Sequence, residues 1–540
     1  MKILVAFAAA AAGCVFAQHT MDHAAPKPTM RLPGMGNVNH PIATSSKEAQ
    51  QFFNQGLNLI YGFNHDESVR AFERAAQLDP KSPMPLWGKA LALGPNINMD
   101  VDPKAELAAY DAVQAALTRI DTAPEVERDY VRTLAVRYSN DPKADLKKLA
   151  RDYADGMRTL SQKYPDDLDA ATLFAESLMD LNPWRLWTAD GKPAPGTPEI
   201  VATLQSVIRR NPDHLGANHY YIHAVEASKH PETALPSADR LAKLAPAAGH
   251  LVHMPGHIYL QLGDYETAAA TNEAAAAADR RYMAQTGSQG VYSAMYYTHN
   301  LHFIAVSRAA QGRYAEAKKA ADAMERNVAP MVKEMPMLEA FAIVPRLIDI
   351  QFGKWDAVLK QPEPAKESAM FPIWLYGRVL AFAATGKISE AATVQSALES
   401  VAANTPPDIP YGTTNTVKPV MELAAAVGSA VLQEAKHETE AAIAKWRRAA
   451  ELHDRLVYDE PPAWYYPVRQ SYGGALLRAG RASEAEAVFR EALIGTPRDG
   501  RLLFGLLESL KAQHKPVETV QREFDTAWKS AEIRLKVADL

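Results

Sequence analysis

The feature that most limits what this chain can fold into is a unit of small, aromatic and proline residues that recurs along its length. Near the start, GLNLIYGFNHDESVRAFERAAQLDP sets Gly56, Phe72, Ala75 and Pro80 at fixed offsets. Near the end, YGGALLRAGRASEAEAVFREALIGTP repeats the pattern with Gly473, Gly480, Ala485, Phe489, Ala492 and Pro497. Between them HIYLQLGDYETAAATNEAA supplies Gly263, Tyr265 and Ala268, and FIAVSRAAQGRYAEAKKAA supplies Gly312, Tyr314 and Ala317. Imperfect copies surround Trp87-Gly88, Phe174 to Asp180, Gly353-Lys354-Trp355 and Gly386-Lys387. Small residues let the two helices of a unit approach closely, and the aromatics fill the space between units. From about Ser46 onward nearly every apolar pattern has the helical period, and strand-like alternation is scarce.

These offsets are those of a tetratricopeptide repeat. The expected fold is all-α, a right-handed α-α superhelix of roughly ten to twelve helical pairs, with no β-sheet domain. A chain of 540 residues would ordinarily split into several domains, but a solenoid grows along one axis and escapes that rule. The expected organisation is a signal peptide at 1–17, an extended arm rich in His, Met and Pro at 18–45, and a repeat solenoid over 46–540 with a metal or substrate groove at 213–320.

The net charge is −5, with 58 basic and 63 acidic residues interleaved. No basic stripe argues for nucleic acid, and no apolar run beyond the N-terminus is long enough to span a bilayer. At the N-terminus, Lys2 precedes the short apolar stretch ILVAFAAAAAG, and Val15-Phe16-Ala17 offers a signal peptidase site. The chain is expected to be exported to the periplasm or beyond. Cleavage after Ala17 removes the single cysteine, Cys14, and with it any disulfide or thiolate site. The competing reading is a lipid anchor on Cys14, since Ala12-Gly13-Cys14 partly matches a lipobox, although Ala11 stands where leucine is preferred. In the arm, HTMDH and His40 offer soft-metal ligands, but scattered histidines in such a tail are usually just solvated.

Histidine is distributed unevenly. None lies between His65 and His214, whereas NHYYIHAVE, GHLVHMPGHIY and THNLHF carry seven within three successive units. Counting back from the repeat glycines puts unit starts near Leu215, Gly249 and Thr298, the first two 34 residues apart. Positions 2, 5, 9 and 12 of a unit's first helix face the concave surface, within an arc of roughly 80°. His219, His223 and Glu226 take 5, 9 and 12 of one unit, His250, His253 and His257 take 2, 5 and 9 of the next, and His299 and His302 take 2 and 5 of the third. The register comes from Gly, Ala and Pro, so its agreement with the histidines is independent of them.

Crowded imidazoles gain little unless something holds them neutral, and a metal does so. His219-x3-His223 and His253-x3-His257 have the i, i+4 spacing that brings two imidazoles to one ion. Neither pair encloses the glutamate of HExxH, so a zincin protease is not supported. Nitrogen ligands with one carboxylate suit zinc, copper(II), iron or manganese, and spacing does not choose among them. Seven histidines exceed one ion's need, which leaves two ions or additional orienting and acid–base groups. Pro255 should break the second unit's first helix after His253. Tyr220, Tyr221, Tyr259, Tyr296 and Tyr297 flank the cluster and read more readily as packing between repeats. Glu176 and Asp180, an i, i+4 pair followed by Trp184 and Trp187, lie one unit earlier. They either reach the groove or form an exposed acidic face. With Tyr220, Tyr259 and Tyr297 they make a weaker set of groove candidates. His65 stands where the repeat usually carries an aromatic and is expected to pack. YDEPPAWYYPVR, from Tyr458 to Arg469, is an aromatic, proline-rich segment able to line a cleft, and His437, His453 and His514 read as surface residues.

The stretches LPGMGNVNHPI, FFNQGLNLIYGFNHDESVRAFERAAQLDP, LWGKALALGPNIN, FAESLMDLNPWRLW, NHYYIHAVEAS and AGHLVHMPGHIY together resemble a family of exported bacterial tetratricopeptide-repeat proteins, most specifically in HYYIHAVE and HLVHMPGHIY. The resemblance covers most of residues 32–320 and, more loosely, the C-terminal repeats. There is a fainter similarity to the tetratricopeptide repeat protein 38 type. The resemblance implies the fold and export, and no reaction. Three functions remain open: a metal-dependent enzyme acting on a peptide or small substrate, a non-catalytic scaffold holding a peptide or protein in the groove, and a periplasmic metal-binding or delivery protein.

Overall fold

The computed structural model describes residues 29–288 and 290–540. The segment expected to be a signal peptide, with Cys14, and the HTMDH part of the arm lie outside the described residues. The chain forms two compact units, one holding residues up to 258 together with 274–297, the other holding 259–273 and 298–540.

The fold is all-α, with consecutive helices packed in pairs. In the first unit the order is α1 (Lys47–Ile60), α2 (His65–Leu78), α3 (Met84–Leu93), α4 (Pro103–Leu117), α5 (Glu125–Ala135), α6 (Leu146–Lys163), α7 (Leu168–Met179), α8 (Thr197–Arg210), α9 (Leu215–Val225), α10 (Leu235–Leu244) and α11 (Gly249–His253). Next come α12 (Pro255–Gln261) and α13 (Tyr265–Thr286), which contribute residues to both units. The second unit continues with α14 (Thr298–Ala310) and α15 (Tyr314–Val328). Later pairs include Val417–Ala435 with Thr439–His453 and Val468–Arg478 with Ala482–Gly495. The only β-ladder among the described residues is a two-residue antiparallel hairpin, Pro410–Tyr411 with Asn415–Thr416. No helix among the described residues is long and apolar enough to cross a membrane.

The repeat glycines are where helices touch. A Cβ on Gly56 of α1 would meet the Phe72 ring at 2.6 Å, and one on Gly88 of α3 would meet the same ring at 2.3 Å. Phe72, on α2, is therefore gripped between the first helices of two successive units. Phe489 is held in the same way by Gly473 and Gly505, at 2.5 and 2.2 Å. One sequence rule thus produces one packing geometry at both ends of the chain.

The turn between the two helices of a unit is a left-handed C-cap, which favours glycine. Gly263, Gly312, Gly353, Gly386 and Gly480 all have φ between 61° and 76°. After α1 that position is held by Phe63 at φ 53°. Phe63 N–H donates to the Ile60 carbonyl and Asn64 N–H to the Leu59 carbonyl, which closes the cap without glycine. A non-glycine residue there costs roughly 1–2 kcal/mol, and the destination of the Phe63 ring shows what it does.

The unit starts expected from the repeat, Leu215, Gly249 and Thr298, are the first residues of α9, α11 and α14. Pro255 separates α11 from α12. The arm from 29 to 45 precedes the first helix, but it is fastened rather than solvated. His40 is half-buried against Phe53 and Tyr130, and its Nδ1 donates to Asp169 Oδ2 at 2.8 Å. The expectation of a free, solvated histidine there is corrected by this carboxylate partner.

His65 packs as expected. Its Nδ1 donates to the Ala92 carbonyl at 2.8 Å, and its Nε2 meets the Asn96 amide at 3.1 Å. Burial pushes its pKa down to about 4. In the unfolded chain this imidazole takes a proton below pH 6.5, while in the folded protein it stays neutral to about pH 4. The unfolded state then binds more protons, so stability falls with decreasing pH by about 1.4 kcal/mol per unit across that window. Replacing His65 by tyrosine, the residue at the matching positions 265 and 314, should flatten this slope in urea melts at pH 7 and pH 5.

Candidate metal centre

Six of the eight expected groups lie in the first unit: His219, His223 and Glu226 from α9 and its C-cap, His250 and His253 from α11, and His257 from α12. None is more than 4 % exposed. The helix α9 is buried on every side. Gly249 opens α11 where any larger side chain would strike Asp279, whose Oδ1 would lie 1.8 Å from a Cβ. The break at Pro255 leaves His257 N–H bonded to the Met254 carbonyl instead of continuing the i→i−4 ladder.

The hydrogen bonds fix which nitrogen His219, His223 and His257 turn inward. His219 Nδ1 donates to the Tyr61 carbonyl at 2.6 Å, a carbonyl left unpaired at the C-terminal end of α1. Glu226 accepts from two rings at once, from His223 Nδ1 on Oε1 at 2.9 Å and from His257 Nδ1 on Oε2 at 2.6 Å. An imidazole that donates from Nδ1 keeps its lone pair on Nε2. His219 Nε2 faces His250 Nε2 at 3.1 Å, and His257 Nε2 faces His253 Nε2 at 2.6 Å. His223 Nε2 is buried and has no hydrogen-bond partner. One ring nitrogen from each of His219, His223 and His250 lies within 4.8 Å of the other two.

Aromatic rings close the site. Phe63, swung inward by its left-handed cap, has its centroid 4.6 Å from His219, 5.8 Å from His223 and 5.3 Å from His250. Trp184 meets His223 edge-on at 5.8 Å, and Tyr296 meets His250 at 5.0 Å. Burial, reinforced by the neighbouring imidazoles, holds the pKa values of His219, His223 and His250 well below the ordinary histidine value. These rings stay neutral, as metal ligands must.

His299 and His302 belong to α14 in the second unit. There His302 Nε2 bonds to the Tyr465 hydroxyl at 2.7 Å, burial pushes its pKa down to about 3, and His299 packs on Phe303 at 5.0 Å. Glu176 and Asp180 form no exposed acidic face. Arg137 Nη2 donates to Asp180 Oδ2 at 2.6 Å, its guanidinium stacks on Tyr153, and burial raises the pKa of both carboxyls. Tyr220 packs between Tyr61 and Phe63. Tyr259 packs beside Leu260, Tyr265 and Phe303, and Tyr297 is half-buried. His437 and His514 are exposed and His453 is half-buried.

Sequence reasoning missed Phe63 and the Tyr61 carbonyl. A signal for Phe63 was present, since the chain reads GFN where the other turns read LGD, QGR, FGK, TGK or AGR. Nothing in the sequence marks a backbone carbonyl as a partner for His219.

No family model matches the chain. No curated protein sequence matches it either. Solved structures similar to it include the APC/C hetero-tetramer Cut9–Hcn1, at 13 % identity over 86 % of this chain and 76 % of that one, with a TM-score of 0.33. Yeast Tom70 aligns at 11 % identity over 91 % of this chain and 93 % of its own, with a TM-score of 0.29. The human IFIT1 dimer with PPP-AAAA aligns at 12 % identity over 91 % and 92 %, with a TM-score of 0.34. Scores of this size carry no argument about function.

Proposed function

We propose that this helical-repeat protein holds a divalent transition metal (zinc, copper or iron) in the histidine cluster of its first unit. The observation that carries this reading is the Glu226 carboxylate. It orients His223 and His257 through their Nδ1 hydrogens and leaves their Nε2 lone pairs turned inward, one of them on an atom with no hydrogen-bond partner. Metal-binding histidines are oriented by carboxylates and carbonyls in this way. His219, His223 and His250 are the first-choice ligands. Nitrogens bound at 2.0–2.1 Å in a tetrahedral site stand about 3.3 Å apart, close to the 3.1 Å between His219 and His250. The paired His253 and His257 supply two further nitrogens, and Glu226 supplies a buried negative charge to balance a cation. The ligands are neutral nitrogens, which suits zinc, copper(II) and iron.

The burial of all six groups favours a held ion over a peptide lying across them. Metal-activated chemistry on a small substrate, with export to the periplasm, is the finer form of the same proposal. A scaffold role for a peptide or protein partner is the reading that gains if no metal binds.

Glu226→Gln tests the proposal. Glutamine has one acceptor oxygen, so its NH2 faces the second imidazole and turns that ring's Nε2 into a donor. The variant should bind zinc about 10–100-fold more weakly with an unchanged helical circular dichroism spectrum. Equal affinity in competition against a chromophoric chelator counts against the site.

A further inference from the structure

The arm that precedes α1 does more than cover it. Its backbone is read by amide side chains on one face of that helix. Leu32 N–H donates to Gln55 Oε1 at 2.8 Å, Val38 N–H to Asn58 Oδ1 at 3.0 Å, and Ile42 N–H to Gln50 Oε1 at 2.9 Å. From this bed the arm reaches the two segments that lead into the histidine helices. The Asn37 amide donates to the Asp213 carbonyl at 2.9 Å, two residues before α9. The Gly34 carbonyl accepts from Ala247 N–H at 2.9 Å, two residues before α11. A Cβ on Gly36 would lie 2.5 Å from Leu215, the first residue of α9, so the arm passes this helix start with no room to spare.

A second path runs through side chains. His40 Nδ1 donates to Asp169 Oδ2, and Asp169 Oδ1 accepts from the Tyr61 hydroxyl at 2.7 Å. The Tyr61 carbonyl is the acceptor that orients His219. Tyr61 is also fixed from the other side, because a Cβ on Gly216 of α9 would strike its ring at 2.5 Å.

We propose that residues 30–45 are a strap that sets the spacing of α9 and α11 for metal binding, with His40 as its positioning residue. This rests on the metal reading of the cluster. The strap joins the starts of the two helices that supply His219 and His250, and His40 holds, through Asp169, the hydroxyl of Tyr61, the residue whose carbonyl aims His219. The strap does not touch the ion. It narrows the range of ligand geometries, so the bound state loses less freedom when it forms.

The test compares zinc affinity in the full chain for wild type, His40→Ala, His40→Asn and Asn37→Ala, by competition with a chromophoric chelator, alongside the melting temperature of each metal-free protein. His40→Ala should weaken zinc about 10–100-fold, as loss of an orienting partner does. His40→Asn should recover most of the loss, because its amide nitrogen stands near the position of Nδ1. Asn37→Ala should weaken zinc about 2–10-fold, the effect of one hydrogen bond. Because the Asn37 side chain is exposed, this variant carries the test if His40→Ala does not fold. A wild type that binds zinc with variants matching it within about twofold, even if they melt earlier, overturns the strap and leaves the metal site standing. Equal weakening by alanine and asparagine at position 40 overturns the role given to Nδ1. If the wild type binds no zinc the comparison is run with copper and iron, and a wild type that binds none of the three overturns the metal reading and the strap together.

Discussion

Replacing His223 and His250 together by leucine is expected to abolish metal binding while leaving the helical repeats folded. Leucine is close to imidazole in volume, so Phe63, which stacks on both rings, keeps a partner of similar size. Two buried acceptors each lose one partner, Glu226 Oε1 that of His223 and His219 Nε2 that of His250, and the remaining bonds stay. His219 keeps the Tyr61 carbonyl, Glu226 keeps His257, and the His223 Nε2 that lacks a partner is removed. Structural zinc sites bind with roughly 10–16 kcal/mol shared among four ligands, so each imidazole is worth on the order of 3 kcal/mol. Loss of two should weaken binding by about 10⁴-fold. The measurement is metal content after gel filtration, with circular dichroism as the control for folding. Full retention of metal would assign the ion to other residues.

Phe72→Ala should be among the most destabilising single substitutions in the first unit, at about 3–5 kcal/mol. The ring is fully buried and contacts Gly56 and Gly88 on helices of two successive units. Its removal leaves a cavity that those helices can fill only by moving toward α2. Leucine at the same position should cost about 1.5 kcal/mol or less, because most of the volume is kept. Phe489→Ala tests the same rule in the second unit, where Gly473 and Gly505 hold the ring. Urea denaturation followed by circular dichroism reads both. A loss below about 1 kcal/mol for Phe72→Ala would mean that the glycine-aromatic contact does not hold successive units together.

How much was legible follows from the range of each interaction. Glycine-aromatic packing acts within one or two repeats, so Gly56, Phe72 and Gly88 announced the helical pairs. The starts of α9 and α11 were fixed by the same spacing, and Pro255 announced the break between α11 and α12. The facing of His219 toward His250, and of His223 toward His257, follows from helical periodicity across adjacent units. What stayed hidden acts over long sequence separations or through the backbone. The Tyr61 carbonyl that orients His219 comes from 158 residues away. The role of the arm depends on Gln50, Gln55 and Asn58 presenting amides along one side of α1, a pattern that reads as an ordinary polar face. Phe63 was hidden differently, since its place is the glycine position of a turn and only comparison with the other turns makes it stand out. Glu176 and Asp180 illustrate the limit of an i, i+4 reading, because their partner Arg137 comes from the turn after α5, far away in sequence.

The most direct test is the metal content of the wild-type protein, purified without added metal or chelator and analysed by inductively coupled plasma mass spectrometry, followed by titration of the chelator-stripped protein with zinc, copper and iron. At least one equivalent of a divalent transition metal should copurify, or bind to the stripped protein with an affinity lost in the His223→Leu/His250→Leu variant. A wild-type protein that carries no metal and binds none of the three would contradict the account.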